Sequence, residues 1–200
     1  TYTVFLIPGL VIMAMLQNAF ANSSSSLIQS TVSGNHIFML LSPLSYQEIF
    51  TAYVLASVVR GLIVGLGIYV VAVGFFELPL YSFAWVIVFA LMGTALLGAL
   101  GIIAGIWAEK FEHLAALQNF AILPLTFLSG VFYTISSLPS FWRGLSYLNP
   151  FFYMVDGFRY GFFHSSDVSP YLSLGILMVC FLAVSWWTLL MLKAGYKIRK

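Results

Sequence analysis

Ionisable side chains are rare in this chain, so the few that lie within or beside apolar stretches limit the chemistry that it could perform. Asp156 and Arg159 lie three residues apart, and on a helix they would share one face and could form an ion pair. Arg60 is the only charge well inside a long apolar stretch. It could snorkel towards the membrane surface, pair in a polar cleft, or have a direct role in function.

The histidines and the single cysteine favour neither catalysis nor a bound metal. His36, His113 and His164 all fall in loops or at the edges of apolar stretches, whereas a haem-binding bundle would place paired histidines inside facing helices. Cys180 is the only cysteine, which excludes a disulfide framework and a cysteine metal site. There is no glycine-rich phosphate loop. We therefore predict no catalytic residues, no metal, no cofactor and no nucleic-acid partner.

The composition indicates that lipid surrounds most of the chain. Of the 200 residues, 62% are hydrophobic and 7% are charged, and the mean hydropathy is +1.01. Soluble domains average about 25% charged residues. The apolar excess runs from end to end, so a cleaved signal peptide does not explain it. We predict an all-α integral membrane protein with a single membrane domain over 1–200.

The charges and helix breakers divide the chain into five apolar stretches that are each long enough to cross a bilayer. The predicted transmembrane helices are 4–27, 51–76, 81–107, 114–134 and 170–192. Two segments between them do not span: a cytoplasmic elbow at 28–48 and an outer re-entrant hairpin at 136–165.

The basic residues predict the orientation. With a cytoplasmic C-terminus, five basic residues lie inside and two outside, in agreement with the positive-inside rule. The inner five are Lys110, Lys193, Lys197, Arg199 and Lys200, and the outer two are Arg143 and Arg159. Thr1 would then lie outside, which predicts that the N-terminus is truncated and that an earlier span is missing.

The elbow contains two helix-start signals. Ser42-Pro43 offers a cap followed by proline at the first helical position, and Ser45 with Glu48 forms a capping box, so the second span should begin near Ser45. Upstream, 34–41 is rich in apolar residues and is either a short interfacial helix that partners could reach or a plain connecting loop.

The segment 136–165 is aromatic, charged and interrupted. Asn149-Pro150 is a helix start, and Trp142 with Arg143 is typical of an interfacial belt. We predict two short helices broken at Asn149-Pro150, which either dip into the outer leaflet as a hairpin or lie along it as a surface anchor.

Glycines four residues apart mark two of the spans. Gly61 with Gly65 and Gly101 with Gly105 would each lie on one helix face and let a neighbouring helix approach closely. Packing within the bundle is one interpretation; a dimer interface or a substrate path is the other.

The order of these segments resembles the ABC-2 type permeases, the membrane subunits of bacterial ABC exporters, and especially the branch with nodulation-type and drug exporters. The resemblance rests on "LLSPLS" (40–45) and on "LSGVFYTISSLPSFWRGLSYLNPFFYMVDGFRYGFF" (128–163). It implies six spans in the complete protein, a dimer, and a separate ATPase subunit that binds ATP.

The resemblance also implies roles for individual residues. Contact with the ATPase would involve Asn35, His36, Ile37, Phe38, Leu41, Ser42 and Pro43. The outer hairpin would use Trp142, Arg143, Asn149, Pro150, Tyr153, Asp156 and Arg159. Related elbows usually carry full charges just before the "LLxSP" pattern, whereas this chain has Asn35 and His36, so the expected ATPase contact is mostly apolar.

The expected function is that of an exporter permease in the bacterial inner membrane, which moves an amphipathic, lipid-linked or drug-like substrate outward. Two alternatives remain at this point. An ion-coupled secondary transporter would need ionisable groups near the membrane midplane, where only Arg60 comes close. An integral subunit of a membrane redox enzyme would need buried ligands, which the histidine positions do not supply.

Overall fold

The computed structural model describes residues 2–34 and 44–195, and in these residues it is all helical, with no strand. The helices, in chain order, are α1 (Tyr2–Val32), α2 (Tyr46–Val73), α3 (Phe83–Trp107), α4 (Phe111–Leu117), α5 (Leu123–Phe127), α6 (Ser140–Tyr147), α7 (Pro150–Phe163) and α8 (Pro170–Ala194). A π-helical segment, Gln118–Ile122, joins α4 to α5, and a 3-10 turn, Ile135–Ser137, precedes α6.

Four of these helices, α1, α2, α3 and α8, are long and apolar enough to cross a membrane. They correspond to four of the five predicted spans, and α1 and α2 are longer than predicted. The start of α2 confirms the capping box. The amide of Ser45 donates to Oε2 of Glu48 over 2.7 Å, and the amide of Glu48 donates to Oγ of Ser45 over 3.3 Å.

The predicted span 114–134 is not one regular helix, and its predicted C-terminal end is wrong. Helical structure ends at Phe127, and Gly130 then turns the chain with φ +80°. Pro124 lies at the start of α5, directly after the π segment. Because proline has no N–H, it cannot donate to the carbonyl one turn earlier, and a locally widened turn is a common response.

The predicted pair of short helices is confirmed as α6 and α7. Asn149 caps α7, because its Oδ1 accepts from the amide of Phe151 over 3.1 Å. Its Nδ2 donates to the carbonyl of Leu125 over 2.7 Å, which ties the start of α7 to α5. The break at Asn149-Pro150 is therefore fixed by tertiary contact as well as by local sequence.

The paired glycines lie where helices meet within one chain. A Cβ added to Gly101 would stand 2.6 Å from the carbonyl oxygen of Phe20, and one added to Gly105 would stand 2.9 Å from Cβ of Leu27. Gly61 faces Thr94 and Gly65 faces Met15 in the same way. These positions favour packing within the bundle, with α1 held between α2 and α3.

Candidate functional site

The predicted hairpin segment, 136–165, has a buried polar centre on α7. Asp156 is only 3% exposed, and its two carboxylate oxygens accept from the amides of Asp167 and Val168 over 2.9 and 3.1 Å. These amides belong to the loop that leads into α8. Burial raises the pKa of Asp156, which lies outside the four long helices, to about 6, and the two amides oppose that rise.

Arg159 lies one turn further along α7 and contacts two other segments. It is 6% exposed, and its Nη2 donates to the carbonyls of Gly130 and Val131 over 2.9 and 3.2 Å. Its guanidinium carbon lies 3.9 Å from the centre of the Phe5 ring, a cation–π contact with the beginning of α1. Arg159 thus joins α7 to the turn after α5 and to α1.

No direct hydrogen bond joins Asp156 to Arg159 in the described part of the chain, although their spacing would allow an ion pair. Each side chain takes backbone partners from a different neighbouring segment. Both carboxylate oxygens of Asp156 accept an amide, whereas only Nη2 of Arg159 donates, and its buried Nε has no hydrogen-bond partner among the described residues. The two charges still attract each other at longer range. Burial lowers the pKa of Arg159 to about 10, and the negative charge of Asp156 opposes this lowering. The two residues act as a cross-link between α7 and its surroundings.

The other hairpin residues divide into an inner and an outer set. Asn149 and Tyr153 face inwards, and the hydroxyl of Tyr153 donates to the carbonyl of Tyr147 over 2.7 Å. Trp142 and Arg143 lie on the exposed α6, where Nη2 of Arg143 donates to the carbonyl of Leu138 over 3.2 Å. The structure therefore brings together Asn149, Tyr153, Asp156 and Arg159 and leaves Trp142 and Arg143 outside that group.

A second polar group lies between the long helices α1 and α2. Nη1 of Arg60 donates to Oδ1 of Asn22 over 3.3 Å, and Nδ2 of Asn22 donates to Oγ of Ser57 over 3.4 Å. Ser57 and Ser23 share a hydrogen bond of 2.5 Å. Sequence reasoning identified Arg60 but missed Asn22, Ser23 and Ser57. The run "NSSSS" inside an apolar span was the available signal.

The residues predicted to contact an ATPase lie at 35–43, outside the residues that the structure describes. Their roles stay predictions. The described structure begins again at Leu44, one residue before the cap of α2.

Comparison with known proteins decides the class. The family model of the ABC-2 type transporter matches residues 1–163, a range that runs from α1 through the hairpin. The chain belongs to the ABC-2 type transporter family. It is similar to the inner membrane transport permease YadH of Escherichia coli K12, with 38% identity over 201 residues, covering 98% of this chain and 78% of that protein. The protein of the same name from Shigella flexneri matches to the same extent.

Membership of the ABC-2 type transporter family confirms the resemblance and fixes several properties. The chain is a non-catalytic, multi-pass permease subunit of the inner membrane, and it works with an ATPase subunit. This assignment decides against a redox subunit and against an ion-coupled secondary transporter.

Several residues of this ABC-2 permease that sequence reasoning did not single out complete the hairpin contacts. They are Phe5, Val131, Asp167 and Val168. Phe5 and Val131 contribute a ring face and a carbonyl, and Asp167 and Val168 contribute amides. The type of a residue does not indicate whether its backbone amide or carbonyl will bind a distant side chain, so these partners could be identified only from the fold.

Proposed function

We propose that this permease is the membrane subunit of an ATP-driven exporter, which moves an amphipathic, lipid-linked or drug-like substrate outward as a homodimer. The family match over 1–163 supports this most directly. ATP hydrolysis in the partner subunit would drive the permease between two states, since nucleotide can shift the permease only through contacts that differ between those states.

The proposed architecture is one membrane domain over 1–200, with five spans in this chain and six in the complete protein. The broken helix 111–127 would be the fourth crossing, in addition to the four long helices. The elbow would lie in the cytoplasm, and α6 and α7 would form a re-entrant hairpin at the outer mouth. The burial of α7 supports this, because backbone that dips into a membrane must be covered by protein.

Thiol labelling tests this orientation. With Cys180 replaced by serine, a cysteine introduced at the exposed Ser137 should react in intact cells with a reagent that cannot cross the membrane. A cysteine introduced at Lys200 should react only after the cells are opened. The reverse pattern would show that the topology is inverted, and the hairpin would then lie on the ATPase side.

An open apolar cavity supports an amphipathic cargo. It has a volume of about 660 Å³ and lies among α1, α3, the broken helix and α8. Phe20, Trp107, Leu117 and Trp187 are among its lining residues. A cavity of this size and character suits a hydrocarbon chain that enters sideways from the lipid.

The elbow provides the mechanistic test. In the complete permease with its ATPase subunit, Phe38→Asp should reduce ATP-dependent uptake of a fluorescent lipid-like amphiphile into inside-out vesicles at least tenfold. The reason is that burying an unpaired carboxylate in an apolar interface is costly. The amount of permease in the membrane should not change, and less ATPase should co-purify with it.

Phe38→Leu is the matched control and should keep most of the uptake, because it retains an apolar side chain. Wild-type uptake should stop without ATP and persist when an uncoupler collapses the proton gradient. Normal uptake by Phe38→Asp would reject the assignment of this segment as the ATPase contact.

A further inference from the structure

Arg60 lies close to the middle of a membrane span. It stands near the midpoint of α2, a 28-residue helix, and is therefore about 20 Å from either helix end at 1.5 Å per residue. The hydrocarbon core of a bilayer is about 30 Å thick. A bilayer centred on α2 would therefore place the Cα atom of Arg60 near the midplane rather than at an interface. A charged side chain at this depth is expensive unless something compensates it.

The guanidinium of Arg60 is oriented by a hydrogen bond to a neutral side chain on the neighbouring helix, Asn22. Its Nη1 donates to Asn22 of α1, whose own amide group is fixed by Ser57. Arg60 is an exposed residue and has no ion pair within the described part of the chain. The six acidic residues all lie outside the middle of the long helices: Glu48, Glu77, Glu109, Glu112, Asp156 and Asp167. Within residues 2–34 and 44–195, this charge therefore has an orienting amide but no carboxylate beside it.

The surface beside Arg60 is polar on one side and apolar on the other. On α1, a row of partly or fully exposed polar side chains recurs at helical spacing; it comprises Asn18, Asn22, Ser25 and Gln29. On α2, Val59 and Ile63 flank Arg60 and are 55% and 65% exposed. A polar row at membrane depth needs a polar neighbour, and an apolar surface beside it suits hydrocarbon.

We propose that Arg60, oriented by Asn22, binds the anionic head group, such as a phosphate, of a membrane amphiphile. This inference deepens the proposed export function and rests on it, because it gives the cargo a charge and a contact point. The guanidinium has five N–H donors, and the bond to Asn22 uses one of them. The remaining donors suit the paired oxygens of a phosphate, and the ligand supplies the negative charge that the described surroundings of Arg60 do not provide. The hydrocarbon chain would lie along the apolar face of α2.

Photo-crosslinking tests the proposal in the complete permease with its ATPase subunit, in phosphatidylcholine nanodiscs without ATP. The probe is hexadecyl phosphate with a diazirine beside the phosphate, and the matched probe is the neutral hexadecanol analogue. We expect the phosphate probe to label residues around Arg60 and Asn22. Arg60→Gln should lower this labelling about tenfold, because hydrogen bonds to charged groups contribute that much to affinity. Arg60→Lys should give labelling between those two values, because it keeps the charge but loses the paired donors of the guanidinium.

Control variants separate binding from folding. Val179→Gln adds a polar side chain to the exposed surface of α8, which the proposed site does not use, and should leave labelling unchanged. Asn22→Ala should weaken labelling less than Arg60→Gln does. Equal labelling of Arg60→Gln and the wild type would overturn the proposal. So would an equal loss of the phosphate and neutral probes, which would indicate a merely structural role.

Two further experiments identify the ligand and show whether the anion site and the export function stand independently of each other. Displacement of the probe by excess phosphatidylglycerol would identify an ordinary anionic phospholipid as the ligand. Persistence of the labelling in the presence of phosphatidylglycerol would identify a different phosphate amphiphile. Either result supports an anion site. Wild-type labelling that depends on Arg60 in a protein without ATP-driven transport would reject the export function and leave the site standing. Normal ATP-driven transport with labelling that does not depend on Arg60 would support the export function and reject the anion site.

Discussion

Replacing Asp156 by alanine will detach the α6–α7 hairpin from the bundle and abolish transport. The variant removes both acceptors of the Asp167 and Val168 amides. It also removes Asp156 as one of the two carboxylates that stabilise the buried guanidinium of Arg159, and it leaves only Asp167. Breaking a buried charged network of this kind costs about 3–5 kcal/mol. We expect a lower Tm of the purified permease and faster proteolysis after Arg143, measured in the same detergent as the wild type.

Glu77→Gln is the matched control for Asp156→Ala, because Glu77 is exposed and lies after α2, at the same end of the proposed topology as the hairpin. It should leave Tm and proteolysis unchanged. Asp156→Asn keeps an acceptor oxygen but loses the charge, and it should fall between the two. If Asp156→Ala retained the wild-type Tm, the hydrogen bonds of Asp156 would contribute nothing measurable to holding the hairpin, and Asp156 would have another role.

Gly101→Leu will prevent the correct assembly of α1 against α3. The Cβ of any larger residue would stand 2.6 Å from the carbonyl oxygen of Phe20, which is a backbone atom that cannot rotate away. Overpacking at well-packed sites costs about 1–3 kcal/mol and more when backbone must move. We expect little protein in the membrane fraction, and a broadened, early elution on size-exclusion chromatography from what remains.

Gly67→Leu provides the comparison for Gly101→Leu, since a Cβ at Gly67 meets nothing within 4 Å in this chain. It should give wild-type yield and elution unless a second copy covers this face. Equal yields of the Gly101 and Gly67 variants would show that α1 and α3 can separate without cost, which would contradict the packing described for the bundle.

The sequence predicted the helical architecture well where local chemistry dominates. Hydropathy and charge positions located the four long helices, and the capping signals at Ser45 and Asn149 located two helix starts, because these features depend on residues close together in the chain. The end of the span at 134 was wrong because apolar residues continue to Tyr133, beyond the true helix end at Phe127.

The candidate sites were less predictable because their partners are distant in the chain or belong to the backbone. Asp156 and Arg159 were identified as important, but their partners come from residues 5, 130–131 and 167–168. Arg60 was identified from its charge, but Asn22 became its neighbour only when α1 packed against α2.

The interrupted helix has a consequence for the surrounding lipid. Helical structure there runs only from Phe111 to Phe127, and these 17 residues span about 25 Å, which is less than the thickness of a typical hydrocarbon core. As the fourth crossing of the proposed topology, this element would create hydrophobic mismatch on one flank of the protein. Lipids accommodate such a mismatch by local thinning of the bilayer. The leaflet would then be most deformed beside the open apolar cavity, where a lipid-like molecule has the least distance to travel.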